Sequence, residues 1–159
     1  MRRSFGRGAV RRRIAVVAAV AVVAVAGGFA VHETRRHRES AAVDARLTQL
    51  QADRITSALD AAVGRHTSLH RYRTCTDEET PSVELHYKVP ATASVRTEVA
   101  RAARLAGWNA ASWDGLGSGY FALNIDKRFK GWHSTRSFMN LHSGDLMVSL
   151  ETADHDGCL

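Results

Sequence analysis

Four groupings in the sequence hold residue types that do chemistry. Gly115, Gly117 and Gly119 crowd the stretch DGLGSGY. A glycine-rich phosphate cradle needs a strand before it and a helix after it, so that backbone amides point at the anion. Here a strand-like pattern follows and no Lys-Ser/Thr pair is present, so the stretch reads as a mobile loop between two strands. His66 and His70 are four apart, a spacing that puts two imidazoles on one helix face for a metal. Their segment has no helical pattern, and no Glu lies between them as in H-E-x-x-H. Asp154, His155 and Asp156 form a polar cluster near the C-terminus that reads as solvated, so no metal site is expected. Glu84 and Glu98 are the candidate acids, but Glu84 alternates with His86 and Lys88 in the manner of a solvated sheet face. No G-x-S-x-G is present. The residues give no catalytic constellation, and neither an enzyme nor a cofactor is expected.

The aromatics carry the binding signal. Trp132 lies in the turn FKGWH between Lys130 and His133. An exposed indole flanked by cations can grip a glycan, a protein or a membrane surface. The competing reading is a Trp that closes the end of a small core. Trp108 and Trp113 have opposite parity, so a regular strand cannot point both inward. The candidate binding residues are therefore Trp132, Lys130 and Trp113.

The remaining reactive groups are Cys75 and Cys158, with no C-x-x-C between them. In an exported chain an even pair reads as a disulfide. Closing so long a loop is worth roughly 4 kcal/mol in the chain-entropy treatment. Two free thiols are the alternative.

The compartment is read from the N-terminal segment. The chain has 159 residues and a formal charge of +6. Residues 1–38 carry nine arginines and one acid, Glu33, a balance of +8, while residues 39–159 carry 13 Lys and Arg against 15 Asp and Glu, a balance of −2. The basic character belongs to the first segment, so nucleic acid is not an expected partner. Ile14 to Val31 is a run of 18 apolar residues preceded by Arg11, Arg12 and Arg13. That length reaches the lower end of the about 17–25 residues a membrane helix needs. The positive-inside bias leaves the N-terminus in the cytoplasm and residues 32–159 outside. A cleaved signal peptide is the rival, with Ala24-Val25-Ala26 as its site and a secreted product. The apolar run continues past that site through Phe29-Ala30-Val31, which favours the anchor.

These groups must be held by an α+β domain. The expected organisation is a basic cytoplasmic segment at 1–13, an anchor or signal at 14–31, a juxtamembrane stretch and amphipathic helix at 32–64, and an extracytoplasmic domain at 65–159. Ser40 to Val63 contains no Gly or Pro and stops at Gly64. At 100° per residue its apolar positions split: Val43, Leu47 and Leu50 face one way, Ile55, Leu59 and Val63 another. That split predicts a helix whose second half docks while its first half is a stalk, or a short helix contact with a partner through Val43, Leu47 and Leu50. Residues 65–81 read as a connection. Strands follow at SVELHYKV, YFALNIDKR, TRSFMNL and LMVSLETA, with Val83, Leu85, Tyr87 and Val89, then Phe121, Leu123 and Ile125, then Leu146, Val148 and Leu150 each sharing a face. A helix of about 14 residues between Pro90 and Gly107 points Val95, Val99, Ala102, Ala103 and Ala106 inward. HSGD forms a tight hairpin. The prediction is an antiparallel sheet of about four to five strands with one or two helices on one face.

The order of an Arg-rich start, an apolar segment, a charged helix, a Cys, a strand and helix ending in Gly107-Trp108, several strands and a final Cys resembles small uncharacterised exported proteins of high-GC Gram-positive bacteria, membrane-anchored or lipoprotein-like. This chain departs from the lipoproteins among them, since no Cys precedes Cys75. The resemblance implies an envelope location and a disulfide-closed α+β domain, and it implies no activity. The expected function is an anchored interaction module of the cell envelope. An accessory subunit of a membrane complex is the alternative, and a small secreted enzyme after cleavage the less favoured one.

Overall fold

A computed structural model describes residues 37–73, 80–134 and 136–152. Apart from residues 37 and 38 these belong to one compact unit. Along the chain they form α1 (37–51), α2 (Arg54–Val63), β1 (Ser68–Tyr72), β2 (Ser82–Lys88), α3 (Ala93–Leu105), β3 (Asn109–Ala110), β4 (Asp114–Gly117), β5 (Tyr120–Phe129), β6 (Trp132–Ser134), β7 (Phe138–His142) and β8 (Asp145–Glu151). The fold is α+β, built on an eight-stranded antiparallel sheet. Its path runs β1-β2-β8-β7-β5-β3, and β4 and β6 also pair with the long β5.

Alternation fixes the inner face of the sheet. Val83, Leu85 and Tyr87 lie opposite Leu150, Val148 and Leu146. Leu146 and Val148 lie opposite Leu141 and Met139, which lie opposite Phe121 and Leu123. All except Phe121 are buried, and they share one core with the buried residues of the helices. Each such side chain contributes about 1.5–3 kcal/mol by leaving water. The three strand faces expected from the alternation are thus observed. So is the helix, with Val99, Ala102, Ala103 and Ala106 buried and Val95 half-buried. Thr92 caps α3 through the Val95 amide at 3.3 Å.

The helix expected over Ser40–Val63 is broken. Ala52 closes α1 by donating to the Thr48 carbonyl. Asp53 then caps α2, accepting from the Ile55 amide at 3.0 Å. The break re-aims the chain, so both stripes reach the same core: Val43, Leu47, Leu50, Ile55 and Leu59 are all buried in it. The stalk reading is corrected accordingly. The surface of Val43, Leu47 and Leu50 is consumed within the chain rather than offered to a partner helix.

Other corrections concern the sheet. It has eight strands, not four to five. The connection expected at 65–81 contains β1, where Leu69 and Arg71 take the inner positions, and Arg71 is held there by Asp44 of α1 at 3.0 Å. The glycine-rich stretch forms a hairpin of β4 and β5, turning at Ser118 and Gly119, both with positive φ. HSGD is the two-residue hairpin expected: Ser143 and Gly144 have φ of 49° and 89° between paired His142 and Asp145. Among the described residues no helix is long and apolar enough to cross a membrane. The run 14–31, Cys75 and Cys158 lie outside the described residues.

Candidate binding face

Every inner residue of the sheet has an outward neighbour of opposite parity, and the pairing aligns these into rows. One row is Ser68, His86, Met147, Asn140 and Ala122. The next is His70, Glu84, Ser149, Phe138 and Asn124. Beyond them, at one end of the sheet, Tyr72, Ser82 and Glu151 align. At the other end stand Lys88, Asp145, His142 and Tyr120. The buried residues of the three helices belong to the core on the other face, while on this one Ser149 and Ser82 are buried as well. Its middle is apolar and amide in character: Phe138, Met147, Asn140 and Ala122 are half-buried. An ordinary solvated face alternates charges there.

The β1–β2 side of the face is a histidine cluster. The His70 and His86 rings meet edge to face with centroids 5.8 Å apart, and His70 also lies 6.2 Å from Tyr72. His86 Nε2 is 3.6 Å from a Glu84 oxygen. Glu151, further along, is pushed up from its usual carboxylate range by burial, with the Arg136 charge opposing the rise and Glu84 adding to it. Among the described residues no three potential ligands converge on a metal position.

His66 and His70 are separated by the start of β1. His66 lies before the strand, where its backbone amide and Nδ1 both bond Asp60 Oδ1, at 3.2 and 3.0 Å. Burial by itself would raise the Asp60 carboxyl, but the His66 bonds and charge outweigh it and hold the group below its usual range. Tyr87 is buried with its hydroxyl making no hydrogen bond among the described residues. Burial, and then the nearby Asp60 charge, push its phenol upward. A carboxylate–imidazole pair of this kind can hold a proton. Among the described hydrogen bonds none joins His66 to a Ser, Thr or Cys nucleophile, and the pair ties the end of α2 to the start of β1.

Trp132, Lys130 and Trp113 are placed as follows. Trp132 opens β6 and stacks on Phe129 at 4.3 Å and 6°. Its Nε1 donates to Gln49 of α1 at 2.9 Å, and the Arg46 guanidinium lies 5.8 Å from its ring. The indole is half-buried against its own chain. Trp113 is half-buried too and donates to the Arg96 carbonyl at 2.8 Å. Lys130 is exposed in the β5–β6 turn. A cleft of about 270 Å³ lies between the end of α2 and the start of α3, walled by Val63, Val89 and Val95 with Ser94 and Glu98. It falls just under the about 300–1,000 Å³ of small-molecule sites. Glu98 is bonded there by Arg101.

Sequence reasoning took His70 only as a spacing partner of His66 and did not single out Tyr72, Phe138, Asn140 and Met147. The signal was available in part, since Phe138, Asn140 and Met147 alternate with the inner sets in strands β7 and β8. Scans for a matching protein-family model, a similar curated protein and a similar solved structure each found none.

Proposed function

We propose that the chain is a single-pass, membrane-tethered module whose folded domain binds a partner outside the cytoplasm through the open face of its sheet. The observation that carries this reading is the half-buried Phe138, Met147 and Asn140 at the middle of the face opposite the helices. A mixed apolar centre with a polar margin is the anatomy of a protein-binding surface. The apolar run behind Arg11–Arg13 supports the tether. The register supports a clamp between Cys75 and Cys158. Tyr72, Ser82 and Glu151 align, so β1 and β8, the strands that precede Cys75 and Cys158 in sequence, end on the same side of the sheet with β2 between them. With β2 between them, β1 and β8 are two strand spacings or about 9.6 Å apart, within the reach of seven residues at about 3.3 Å each.

The test is fractionation and intact mass of the natively expressed protein, with external protease and with alkylation before and after reduction. The expected result is a full-length membrane species, digested from outside, whose cysteines alkylate only after reduction. A chain beginning near Gly27 in the medium overturns the tether, and freely alkylated thiols overturn the clamp. For the face, a photo-crosslinker at Asn140 should give a discrete adduct that one at Arg101 on α3 does not. Equal adducts from both positions overturn the assignment.

A further inference from the structure

The outward side of the β1–β2 pair sets three metal-binding side chains next to one another. His70 of β1 stands opposite Glu84 of β2, and His86 follows two residues along β2 on the same face. All three reach solvent: His70 is exposed, and Glu84 and His86 are half-buried. Their spacings suit ligands better than hydrogen-bonded partners. His86 Nε2 is 3.6 Å from the Glu84 oxygen, too long for a hydrogen bond. Two donors on one tetrahedral ion, with bonds of about 2.0–2.2 Å, stand about 3.3–3.6 Å apart. The His70 and His86 ring centroids are 5.8 Å apart. Two imidazoles on such an ion hold their centroids at about 5 Å. Among the described residues the donors do not converge on one point. His70 is the side chain able to close the gap. Its described contacts are the rings of Tyr72 and His86, and no described hydrogen bond fixes its orientation.

We infer that His70, His86 and Glu84 form a site for a zinc-like divalent transition ion, completed by a turn of the His70 ring. Two neutral imidazoles and a carboxylate suit such an ion and leave a fourth position open. Magnesium and calcium take more ligands, and oxygen ones, so the same set serves them poorly. The neighbouring charges permit a cation. Glu84 and Glu151 lie close enough to interact, with Arg136 opposing them. Arg71 and Arg73 of the β1 side are engaged by Asp44 of α1, and Lys88 at the far end of β2 by Asp145. A bound ion would tie the edge strand β1 to β2 by side chains as well as by the main chain. The site lies on the same side of the sheet as the proposed binding face and does not rest on that reading.

The test uses the full-length chain in detergent micelles, with any free thiol alkylated beforehand. Zinc is titrated in competition with a chromophoric chelator of known affinity, and magnesium is the control ion. The parent is compared with His70→Gln, His86→Gln and Glu84→Gln, and with His133→Gln, which removes an imidazole outside the site. The expected result is one zinc ion per chain at micromolar concentration and no response to magnesium. Binding should weaken at least about tenfold in His70→Gln and in His86→Gln, weaken less in Glu84→Gln and stay unchanged in His133→Gln. Zinc X-ray absorption on the parent needs no variant and should count two imidazoles at about 2.0–2.1 Å. Three results overturn the inference: no zinc bound below millimolar concentration, equal binding by the parent and both His70→Gln and His86→Gln, or a bound ion without two imidazoles. Each is read from the metal, whether or not the Asn140 crosslinker finds a partner.

Discussion

The Trp108 indole donates to the Asp53 carboxylate at 2.9 Å across 55 residues of sequence. The same carboxylate caps α2 through Ile55 and takes Lys127 of β5 at 2.7 Å, and Lys127 also donates to the Ala106 carbonyl at 2.7 Å. One side chain, 7% exposed, thereby joins the α1–α2 break, the end of α3 and the sheet. Removing it leaves a largely buried ammonium without its counter-charge and an indole donor without an acceptor. Asp53→Ala should cost about 3–5 kcal/mol, read by denaturant unfolding. Asp53→Asn should cost less, because it keeps a cap acceptor and loses the charge. Equal stability of Asp53→Ala and the parent would refute this account of the junction.

Tyr87 offers the opposite case. Its hydroxyl is buried without a hydrogen bond among the described residues, so Tyr87→Phe should be neutral or stabilising by about 1 kcal/mol. The pH dependence has a definite sign. The phenol is raised above its ordinary 10.0 in the fold, so the unfolded chain loses that proton first. Stability from this group is complete below pH 10.0 and falls as pH rises toward the folded value. Tyr87→Phe should flatten that alkaline fall. A parent and variant with identical alkaline unfolding profiles would show that Tyr87 does not set it.

At the acid side two carboxyls act in opposite directions. Asp60 is held below its ordinary 3.8, so it contributes stability above that pH and loses it as pH falls through the folded value. Glu151 is raised above 4.5, so its contribution is complete below pH 4.5 and is lost as pH rises through the folded value. Asp60→Asn should therefore reduce the acid fall in stability, and Glu151→Gln should reduce the loss between pH 4.5 and neutrality. Urea midpoints measured across this range test both signs.

Trp132 separates its two sequence readings by stability alone. Stacked on Phe129 and bonded to Gln49, it should lose about 2 kcal/mol on Trp132→Ala, somewhat below the range for a fully buried aromatic. A Trp serving only a ligand would leave the unfolding midpoint unchanged.

Gly144 tests the hairpin. Its φ is 89°, and a Cβ there would stand 3.2 Å from the Val89 carbonyl oxygen. Gly144→Ala should destabilise by about 1–2 kcal/mol, measured by thermal unfolding. Ser143→Gly, which relieves a positive φ, should not destabilise by a similar amount.

The parts of the fold legible in the sequence were those governed by burial period. Val83, Leu85 and Tyr87 alternate, and Val99, Ala102 and Ala103 recur at helical spacing, so their elements and inner faces could be read. β1 was not legible, because one of its two inner positions holds the exposed Arg71, whose ion-pair partner Asp44 lies 27 residues away. β4 was hidden by glycine, whose lack of a side chain removes the alternation on which strand reading depends. The break at Asp53 was half legible: the two directions of the apolar stripe were plain, but the chain turn that reconciles them depends on Trp108 and Lys127. The candidate face was the least legible, since Phe138, Asn140 and Met147 form a patch only once β5, β7 and β8 are paired.

The pairing of β2 with β8 has a consequence for the order in which the chain can mature. Ser82–Lys88 bonds Asp145–Glu151 through its whole length, so β1 and β2 join the rest of the sheet through the last described strand. A chain emerging from a ribosome or a membrane pore N-terminus first presents Val83, Leu85 and Tyr87 long before Leu146, Val148 and Leu150 arrive to cover their flank. Residues after β2 must wait with an unfinished sheet edge, and a chain stopped at the Ser143–Gly144 turn would separate β2 from β7 at the centre of the sheet.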